Sequence, residues 1–187
     1  IDAYLGFTLK IAKRVDMDLH AGYKLIENPY FFVNHYDTLT QKMSNTFDVV
    51  YDKKAGLLEA GISLSYDWKE RLNLRATGVF NKWALNEIEE AWFKPKWKLD
   101  FEGSYLATDF LRFRLGYQLE TGKYASINDV KMKLPNTHNL YLGADYRLFK
   151  WFNIFLNLDN IINQEYENWY GYTHHKFNVM GGVSFIF

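Results

Sequence analysis

Several features of ordinary catalytic and binding domains are missing or scarce in this chain of 187 residues. It has no cysteine, which excludes disulfide frameworks, thiolate metal sites and cysteine nucleophiles. Proline occurs only three times while Phe, Tyr and Trp make up 19% of the residues, so the composition is not that of a disordered segment. Lys plus Arg equals Asp plus Glu at 22 each, so no bulk charge favours nucleic acid. No apolar run approaches the roughly 18 residues of a spanning helix.

What the chain does contain is apolar alternation with the period of a β-strand. Every second residue in nine runs, 46 positions in all, is uncharged, although 24% of the chain is charged. The 37 intervening positions carry 13 charges. One face of the predicted sheet is therefore selectively free of charge. The nine runs are Ile1 to Ile11, Met17 to Leu25, Leu58 to Tyr66, Leu72 to Phe80, Trp97 to Tyr105, Leu111 to Leu119, Leu140 to Leu148, Phe152 to Leu158 and Phe177 to Phe187.

Alternation alone fits a water-soluble sandwich as well as a membrane barrel, so the connections between the runs decide. They alternate strictly in length. Segments 12–16, 67–71, 106–110 and 149–151 are short, whereas 26–57, 81–96, 120–139 and 159–176 are long. This alternation is typical of outer-membrane barrels, whose short turns are periplasmic. The pattern predicts an all-β, transmembrane antiparallel barrel with the carboxy terminus at the periplasmic side.

Aromatic residues support the same axis, because Tyr and Trp favour the two membrane–water boundaries. We expect two girdles rather than one aromatic core of a sandwich. The short-turn end holds Tyr66, Trp68, Phe110, Phe149, Trp151, Phe152 and Phe187; the long-loop end holds Trp83, Trp92, Trp97, Tyr117, Trp169, Tyr170 and Tyr172. Pro95 is two residues before Trp97 and cannot donate a ladder hydrogen bond, so we place 91–96 above the membrane or at a bulge.

The number of strands predicts that residues 1–187 are only part of a barrel domain. Bacterial single-chain barrels have an even number of strands, and nine is odd. We therefore expect these to be the nine carboxy-terminal strands of a larger barrel, with its plug and its amino-terminal strands outside this sequence.

The last 30 residues carry a more specific pattern. Segment 160–166 reads Asn-Ile-Ile-Asn-Gln-Glu-Tyr, an aromatic run follows at 169–172, and the final strand ends on an aromatic residue. This combination resembles the end of a TonB-dependent outer-membrane receptor, in a form similar to receptors of Bacteroidetes. The Pro-Gly-Arg common before the last strand of that family is replaced here by His174-His175-Lys176. The residues that match the family's carboxy-terminal barrel-insertion signal are Phe177, Val179, Val183, Phe185 and Phe187.

The resemblance implies a barrel of 22 strands around an amino-terminal plug, in the outer membrane of a Gram-negative bacterium. It implies energised ligand uptake through TonB, which would contact the absent amino-terminal region. Two alternatives stay open: a receptor-like barrel that is a structural subunit of an outer-membrane complex, and a passive porin-like channel. Outer-membrane lipid and TonB are the expected partners, with a surface lipoprotein or other envelope proteins as further candidates and no nucleic acid.

Candidate chemistry is sparse, and we predict no enzyme, cofactor or metal site. His174 and His175 are adjacent, so on a strand they face opposite ways and do not share one ion. His35 and Asp37 suggest a hydrolytic site, but Ser44 has no assignable base and no nucleophile elbow. The residues we expect to contact an extracellular ligand or partner are Trp83, Trp92, Trp169, Tyr170, Tyr172, His174 and His175.

The residues predicted to face inward include a row of basic side chains. Lys94, Lys96, Lys98, Arg112 and Arg114 belong to two neighbouring strands and face Asp100, Glu102 and Glu120. Because the two signs are interleaved, solvation or contact with a plug is expected rather than anion selectivity.

Overall fold

A computed structural model describes residues 2–37, 39 and 42–185. In this part of the chain every regular element is a β-strand, and no helix is long and apolar enough to span a membrane. The strands are β1 (Asp2–Ala12), β2 (Val15–Glu27), β3 (Tyr30–Asp37), β4 (Lys42–Tyr51), β5 (Lys54–Trp68), β6 (Leu72–Ala84), β7 (Trp97–Thr108), β8 (Leu111–Thr121), β9 (Tyr124–Ile127), β10 (Val130–Lys133), β11 (Thr137–Phe149), β12 (Phe152–Asp159), β13 (Glu167–Trp169), β14 (Tyr172–Thr173) and β15 (Asn178–Phe185).

Nine of these strands form one antiparallel sheet, here called the wall, in the order β1-β2-β5-β6-β7-β8-β11-β12-β15. They correspond to the nine alternating runs of the sequence, so the predicted antiparallel all-β architecture is confirmed. The sheet is open, because β1 and β15 each have a wall neighbour on one side only within the described residues. This is the arrangement expected for part of a larger barrel.

The register of the wall keeps the uncharged face continuous. Leu142 on β11 pairs with Leu115 on β8 and with Leu158 on β12, so three uncharged runs present leucines in one row. Since a slip of one residue would turn a strand's apolar set to the opposite face, the observed pairing supports the predicted face assignment. These side chains are not covered by protein: Phe7 is 56% exposed and Leu156 46% exposed.

Tight hairpins join the wall strands at one end. Lys69 and Glu70 have positive φ values of 51° and 59°, as the type I′ turn between β5 and β6 requires. In the next short turn, the backbone N–H groups of Phe110 and Leu111 donate to Thr108 Oγ1 at 3.3 and 3.1 Å. These two short connections are therefore shaped by local turn chemistry.

The long connections differ from the prediction, because three of them contain strands that the alternation did not indicate. β3 and β4 form a hairpin within 26–57, and β9 and β10 form another within 120–139. The two hairpins join in a four-stranded sheet, β10-β9-β3-β4, through a parallel bridge between Asn34 and Ile127. Segment 85–96 is without regular structure and contains Pro95, which lies outside the wall strands as predicted.

Candidate functional site

The long connections pack together into one layer, called here the loop layer, at the end of the wall opposite the hairpins. Its buried apolar cluster draws on three connections that are far apart in sequence. The cluster consists of Phe31, Ala91, Trp92, Phe93, Ala125 and Leu134. Residues of the wall are absent from this cluster, so the compact core of the described chain lies in its loops.

The fourth long connection joins this core through Trp169. Its ring lies 4.8 Å from the ring of Phe93 and 5.3 Å from that of Phe47. Tyr172 stacks on Phe47, with the ring centres 5.6 Å apart and the planes tilted by 29°. Aromatic pairs at these distances stabilise beyond the area that they bury. All four long connections therefore share one aromatic core.

These contacts alter the interpretation of the upper aromatic girdle. Trp92 is only 7% exposed, and Trp83 lies edge-on against Phe31 with the ring centres 5.3 Å apart. Tyr170 also packs against the core. Trp92 belongs to the buried core of the loop layer, and Trp83, on β6, and Tyr170 pack against that core. Trp97, 50% exposed and with its ring 4.6 Å from that of Phe80, lies at the start of β7 and outside this core, and its boundary position stays a prediction.

A buried carboxylate connects two of the long connections. Asp52 is fully buried, and its Oδ2 accepts hydrogen bonds from the backbone N–H groups of Asn86 and Glu87 at 2.7 and 2.8 Å. A third, longer bond comes from Ile88. The backbone amide of Glu87 foremost lowers the pKa of Asp52 to about 2. Consecutive amides that converge on one carboxylate form an anion-binding nest, and here the chain supplies its own anion.

A buried lysine links the long connections 120–139 and 159–176. Lys123 is 1% exposed, and its Nζ donates to Thr137 Oγ1 at 2.7 Å and to Asn168 Oδ1 at 3.1 Å. Glu120 supplies the counter-charge, with an oxygen 3.3 Å from Nζ. Burial lowers the pKa of Lys123, and Glu120 acts in the opposite direction. Because a buried ammonium requires such partners, this group fixes segment 167–168 to the top of β8.

The Asn-Ile-Ile-Asn-Gln-Glu-Tyr segment owes its shape to Asn160. This residue is fully buried and left-handed, with φ of 48°. Its Nδ2 donates to the carbonyl oxygens of Gln164 and His175, at 2.8 and 3.1 Å. Its Oδ1 accepts from the backbone N–H of Gln164 at 3.1 Å, and the backbone N–H of Asn160 donates to Asn139 Oδ1 at 3.0 Å. Asn160 thus holds together the chain that leaves β12 and the chain that enters β15.

Two further residues of that segment hold its neighbours. Asn163 Oδ1 accepts a hydrogen bond from the backbone N–H of Phe177, at 3.1 Å, just before the last strand. Tyr166 is 4% exposed and stacks on His174, with ring centres 4.8 Å apart and planes tilted by 14°. Burial raises the pKa of the Tyr166 hydroxyl. Segment 160–166, which suggested the family resemblance, therefore joins the end of β12 to the start of β15 at the loop-layer end of the wall.

The histidines are not arranged as a ligand set. The rings of His174 and His175 are 6.2 Å apart and tilted by 73°. No group of three or more His, Asp or Glu side chains suited to a metal ion occurs within residues 2–37, 39 and 42–185. His35 does not use Asp37 as its acidic neighbour: its Nδ1 lies 2.6 Å from Asp48 Oδ2, across the β3–β4 hairpin.

The hydrogen bond of Ser44 is separate from the pair of His35 and Asp48. Its hydroxyl pairs with the hydroxyl of Thr46 at 2.6 Å. The hydrogen bonds of the described residues therefore pair His35 with Asp48 and Ser44 with Thr46, and not Ser44 with His35 as a nucleophile and its base would require.

The inner face of the wall carries ion pairs instead of a continuous basic surface. Arg114 Nε donates to Asp145 Oδ2 at 2.9 Å, and its Nη2 reaches Asn157 Oδ1 at 3.1 Å. Lys98 lies 3.3 Å from Glu120. Within the described residues, three of the five residues of the predicted basic set have acidic partners: Lys96 with Glu90, Lys98 with Glu120 and Arg114 with Asp145. Open grooves of about 530 and 570 Å³ along this face are lined by both signs of charge, with Arg114 common to the two.

Aromatic rings cover glycines on the same inner face. Tyr141 on β11 lies directly opposite Gly116 on β8, and its ring occupies the space that a Cβ at Gly116 would need. His20 covers Gly61 in the same way between β2 and β5. A ring over a glycine on an adjacent strand shields exposed backbone and fixes local register.

The predicted ligand contacts therefore have distinct positions. Trp92 lies inside the loop core, Trp83, Trp169 and Tyr170 flank it, and Tyr172 is 47% exposed. His174 and His175 lie in the exposed approach to β15. Their contact with a ligand stays a prediction. Of the predicted insertion signal, Phe177, Val179, Val183 and Phe185 lie within the described residues, and Phe187 lies outside them.

Asp52 and Lys123 are buried charged residues of the loop layer that the sequence interpretation missed. Neither belongs to an alternating run, and each has a partner in another connection, Glu87 for Asp52 and Asn168 for Lys123. The only local signal is a charged residue beside a strand end, which does not distinguish a buried carboxylate or ammonium from a solvated one.

The sequence matches none of the family models and none of the curated proteins with which it was compared. Solved structures are informative. The pyoverdine outer-membrane receptor FpvA of Pseudomonas aeruginosa, bound to pyoverdine, is similar with a TM-score of 0.73 at 16% identity, over 100% of this chain and 29% of that chain. The siderophore receptor PirA of Acinetobacter baumannii gives a TM-score of 0.76 at 9% identity, over 98% and 31%.

The chain resembles part of a TonB-dependent outer-membrane receptor. The copper transporter OprC is a further similar structure, with a TM-score of 0.73 at 11% identity over 100% of this chain and 31% of that chain. At these identities the likeness establishes the fold. The chain spans less than a third of the length of these three structures. The similar proteins are receptors and transporters rather than enzymes, in agreement with the expectation of no catalytic site.

Proposed function

We propose that this chain is the carboxy-terminal, nine-stranded part of the barrel of an outer-membrane receptor that takes up a ligand with energy delivered through TonB. The observation that carries the proposal is the division of the wall into two faces. One face presents uncharged side chains that protein does not cover, and the other presents paired charges beside open grooves. A lipid-facing surface and an aqueous interior demand this division.

The proposed orientation follows from the connections. Short hairpins lie at the periplasmic end together with the carboxy terminus, and the loop layer lies at the cell surface. A surface position suits recognition, because binding residues concentrate on loops held by a rigid scaffold. We propose Trp83, Trp169, Tyr170, Tyr172, His174 and His175 as ligand or partner contacts, and 177–187 as the barrel-insertion signal. Trp92 contributes by shaping the core beneath them.

Uptake is tested on whole cells with and without the full-length protein. Because similar receptors are described with ferric siderophores or copper, the probes are ⁵⁵Fe as a ferric catecholate complex and ⁶⁴Cu. We expect accumulation of one probe to require both the protein and an intact TonB system. Accumulation that is independent of TonB would contradict energised uptake.

Conductance across a planar bilayer provides the second test. A receptor with a plugged barrel is expected to show no steady conductance, whereas a passive channel conducts. Accumulation of neither probe together with stable recovery of other envelope proteins on the purified protein would favour the structural-subunit alternative instead.

A further inference from the structure

The uncharged face of the wall contains a groove in its half nearest the loop layer. The groove has a volume of about 510 Å³ and crosses several strands. Its floor is made of the small residues Ala21, Ala60 and Gly78, which lie on three adjacent strands. Larger side chains rise at its margins, among them Leu5, Phe80 and Trp97. Small residues between large ones leave a recess rather than a flat surface.

The row of residues above the groove has the character of a membrane boundary. Tyr23, Leu58 and Lys82 pair with one another across three strands, one row closer to the loop layer than Ala21, Ala60 and Phe80. The hydroxyl end of Tyr23 lies against Gly56, which is a further row towards the loops. Tyrosines with this orientation occur where hydrocarbon meets head groups.

A second cavity, of about 630 Å³, adjoins the groove and shares Phe80 with it. It lies between the top of β6 and segment 85–96, and three lysines line it: Lys82, Lys94 and Lys96. The cavity with its lysines thus lies beside the apolar groove, on the side nearer the loop layer. This arrangement suits the charged head group and the acyl chain of an anionic amphiphile.

The acidic residues of this cavity are already engaged. Glu90 lies 2.6 Å from Lys131 Nζ and 3.7 Å from Lys96 Nζ, and Glu89 lies 3.2 Å from Lys131 Nζ. By contrast, Lys82 and Lys94 form no ion pair with any residue in the described part of the chain. Two ammonium groups are therefore left to attract an external anion.

We infer that the groove and the cavity together bind a phosphate-bearing lipid of the leaflet that surrounds the loop layer. One acyl chain occupies the groove over Ala60, and the phosphate lies at Lys82 and Lys94. The row of Lys82 is about 7 Å above that of Ala60, a separation that one lipid molecule spans from phosphate to upper methylenes. This inference rests on the proposed membrane function, because it requires the uncharged face to contact lipid.

The two lysines without ion pairs favour an anionic lipid over a second copy of the chain as the occupant of the groove and the cavity. A second copy of this wall that docked through its own uncharged face would fill the groove with apolar side chains and would leave the two lysines without counter-charge. A lipid phosphate satisfies both parts of the site, since basic residues at a membrane surface attract anionic lipid.

The experiment uses the full-length protein in dodecyl maltoside micelles, with lipid adducts counted by native mass spectrometry. Dimyristoylphosphatidylglycerol is the anionic probe, and dimyristoylphosphatidylcholine is the probe without net charge. We expect the anionic lipid to bind more tightly. Lys82→Gln and Lys94→Gln are each expected to weaken its binding about fivefold. Ala60→Phe fills the groove and is expected to remove the bound lipid.

Two matched controls lie on the same molecule but away from the site. Lys69→Gln removes a lysine from a short turn, and Ala76→Phe enlarges a small residue of the same uncharged face, two residues closer to the short turns than Gly78. Neither is expected to change lipid binding. Equal binding of the two lipids, or insensitivity to both lysine substitutions and to Ala60→Phe, would overturn the inference. A dimer that Ala60→Phe disrupts would assign the groove to a second copy and would also overturn it.

Failure of this inference differs from failure of the membrane assignment. Insertion into dimyristoylphosphatidylcholine bilayers, followed by gel mobility with and without heating, tests the barrel without any anionic lipid. A protein that inserts but does not prefer the anionic lipid contradicts the lipid site alone. A protein that does not insert contradicts the proposed function as well.

Discussion

The wall and the loop layer differ in whether their large apolar side chains are exposed or buried by the protein. In the wall, large apolar side chains such as Phe7 and Leu156 point away from the protein and are about half exposed. In the loop layer, Phe31 is 2% exposed and Leu134 is 2% exposed within a core that the chain builds for itself. Their stabilities therefore depend on different things: the wall on the surrounding medium, and the loop layer on its own packing.

Phe31→Ala is expected to have the largest effect, and one confined to the loop layer. Loss of a buried Phe side chain costs about 3–5 kcal/mol, because it removes transfer energy and leaves a cavity beside Trp83. Hydrogen exchange followed by mass spectrometry should show faster exchange in the peptides of β3, β4, β9 and segment 85–96, with β11 and β12 unchanged. Equal acceleration in β11 and β12 would show that the two regions are one cooperative unit.

Leu142→Arg is expected to act on the wall. An arginine near the bilayer midplane costs about 2–4 kcal/mol. The free energy of unfolding, measured by urea titration in dimyristoylphosphatidylcholine vesicles, should fall by that amount. Val130→Arg is the matched control on exposed β10, where Val130 is 63% exposed, and its effect should stay within about 0.5 kcal/mol. Equal effects of the two substitutions would place Leu142 in water.

Gly116→Ala is expected to destabilise the inner face by about 1–3 kcal/mol, through crowding rather than through exposure. The added methyl group meets the ring of Tyr141, which must leave its position. Gly116→Ala combined with Tyr141→Ala should restore part of the loss, and a thermodynamic cycle in the same vesicles measures the coupling. Gly6→Ala is the milder comparison, because a Cβ there lies 3.2 Å from the ring of Tyr4.

Acidification is expected to loosen the contact between segments 28–53 and 85–96 without loss of the wall. The pKa of Asp52 is lowered to about 2 from a usual value of 3.8, so the ionised carboxylate binds its three amides fully above pH 4. That stabilisation declines as the pH falls from about 4 towards 2. Exchange rates of peptides from 85–96, corrected for intrinsic pH dependence, should rise over this interval. Asp52→Asn should already show the faster rates at pH 7 and should lose the pH dependence.

The wall was predictable from the sequence because its strands repeat one local rule. Alternation at Leu140 to Leu148 identifies a strand and its uncharged face, and the tight turns then set which strands are neighbours. The loop layer follows no such rule. Asp52 meets Glu87, and Lys123 meets Asn168, across separations of 35 and 45 residues. Contacts of this kind leave no period in the sequence.

The positions of the aromatic residues were likewise only partly predictable from the sequence. A tryptophan at a strand end predicts a boundary position, and Trp97 begins β7 with half of its surface exposed. Trp92 and Trp169 have similar local surroundings in the sequence, yet both pack into the loop layer. Trp169 packs on Phe93 and Phe47, which come from other connections. Trp92 is buried in a cluster with Phe31 and Leu134, which also come from other connections. Composition predicts that aromatic residues gather at this end, but not whether each faces lipid or a core.

Accessibility along one wall strand tests the two-faced wall most directly. Because this chain has no cysteine, single cysteines at each position from 140 to 148 can carry a nitroxide label in the full-length protein in phosphatidylcholine bilayers. Collision rates with oxygen, which concentrates in hydrocarbon, should peak at the even positions, and rates with a water-soluble nickel chelate should peak at the odd ones. Even positions that collide mainly with the chelate, or rates without a period of two, would contradict a lipid-facing wall.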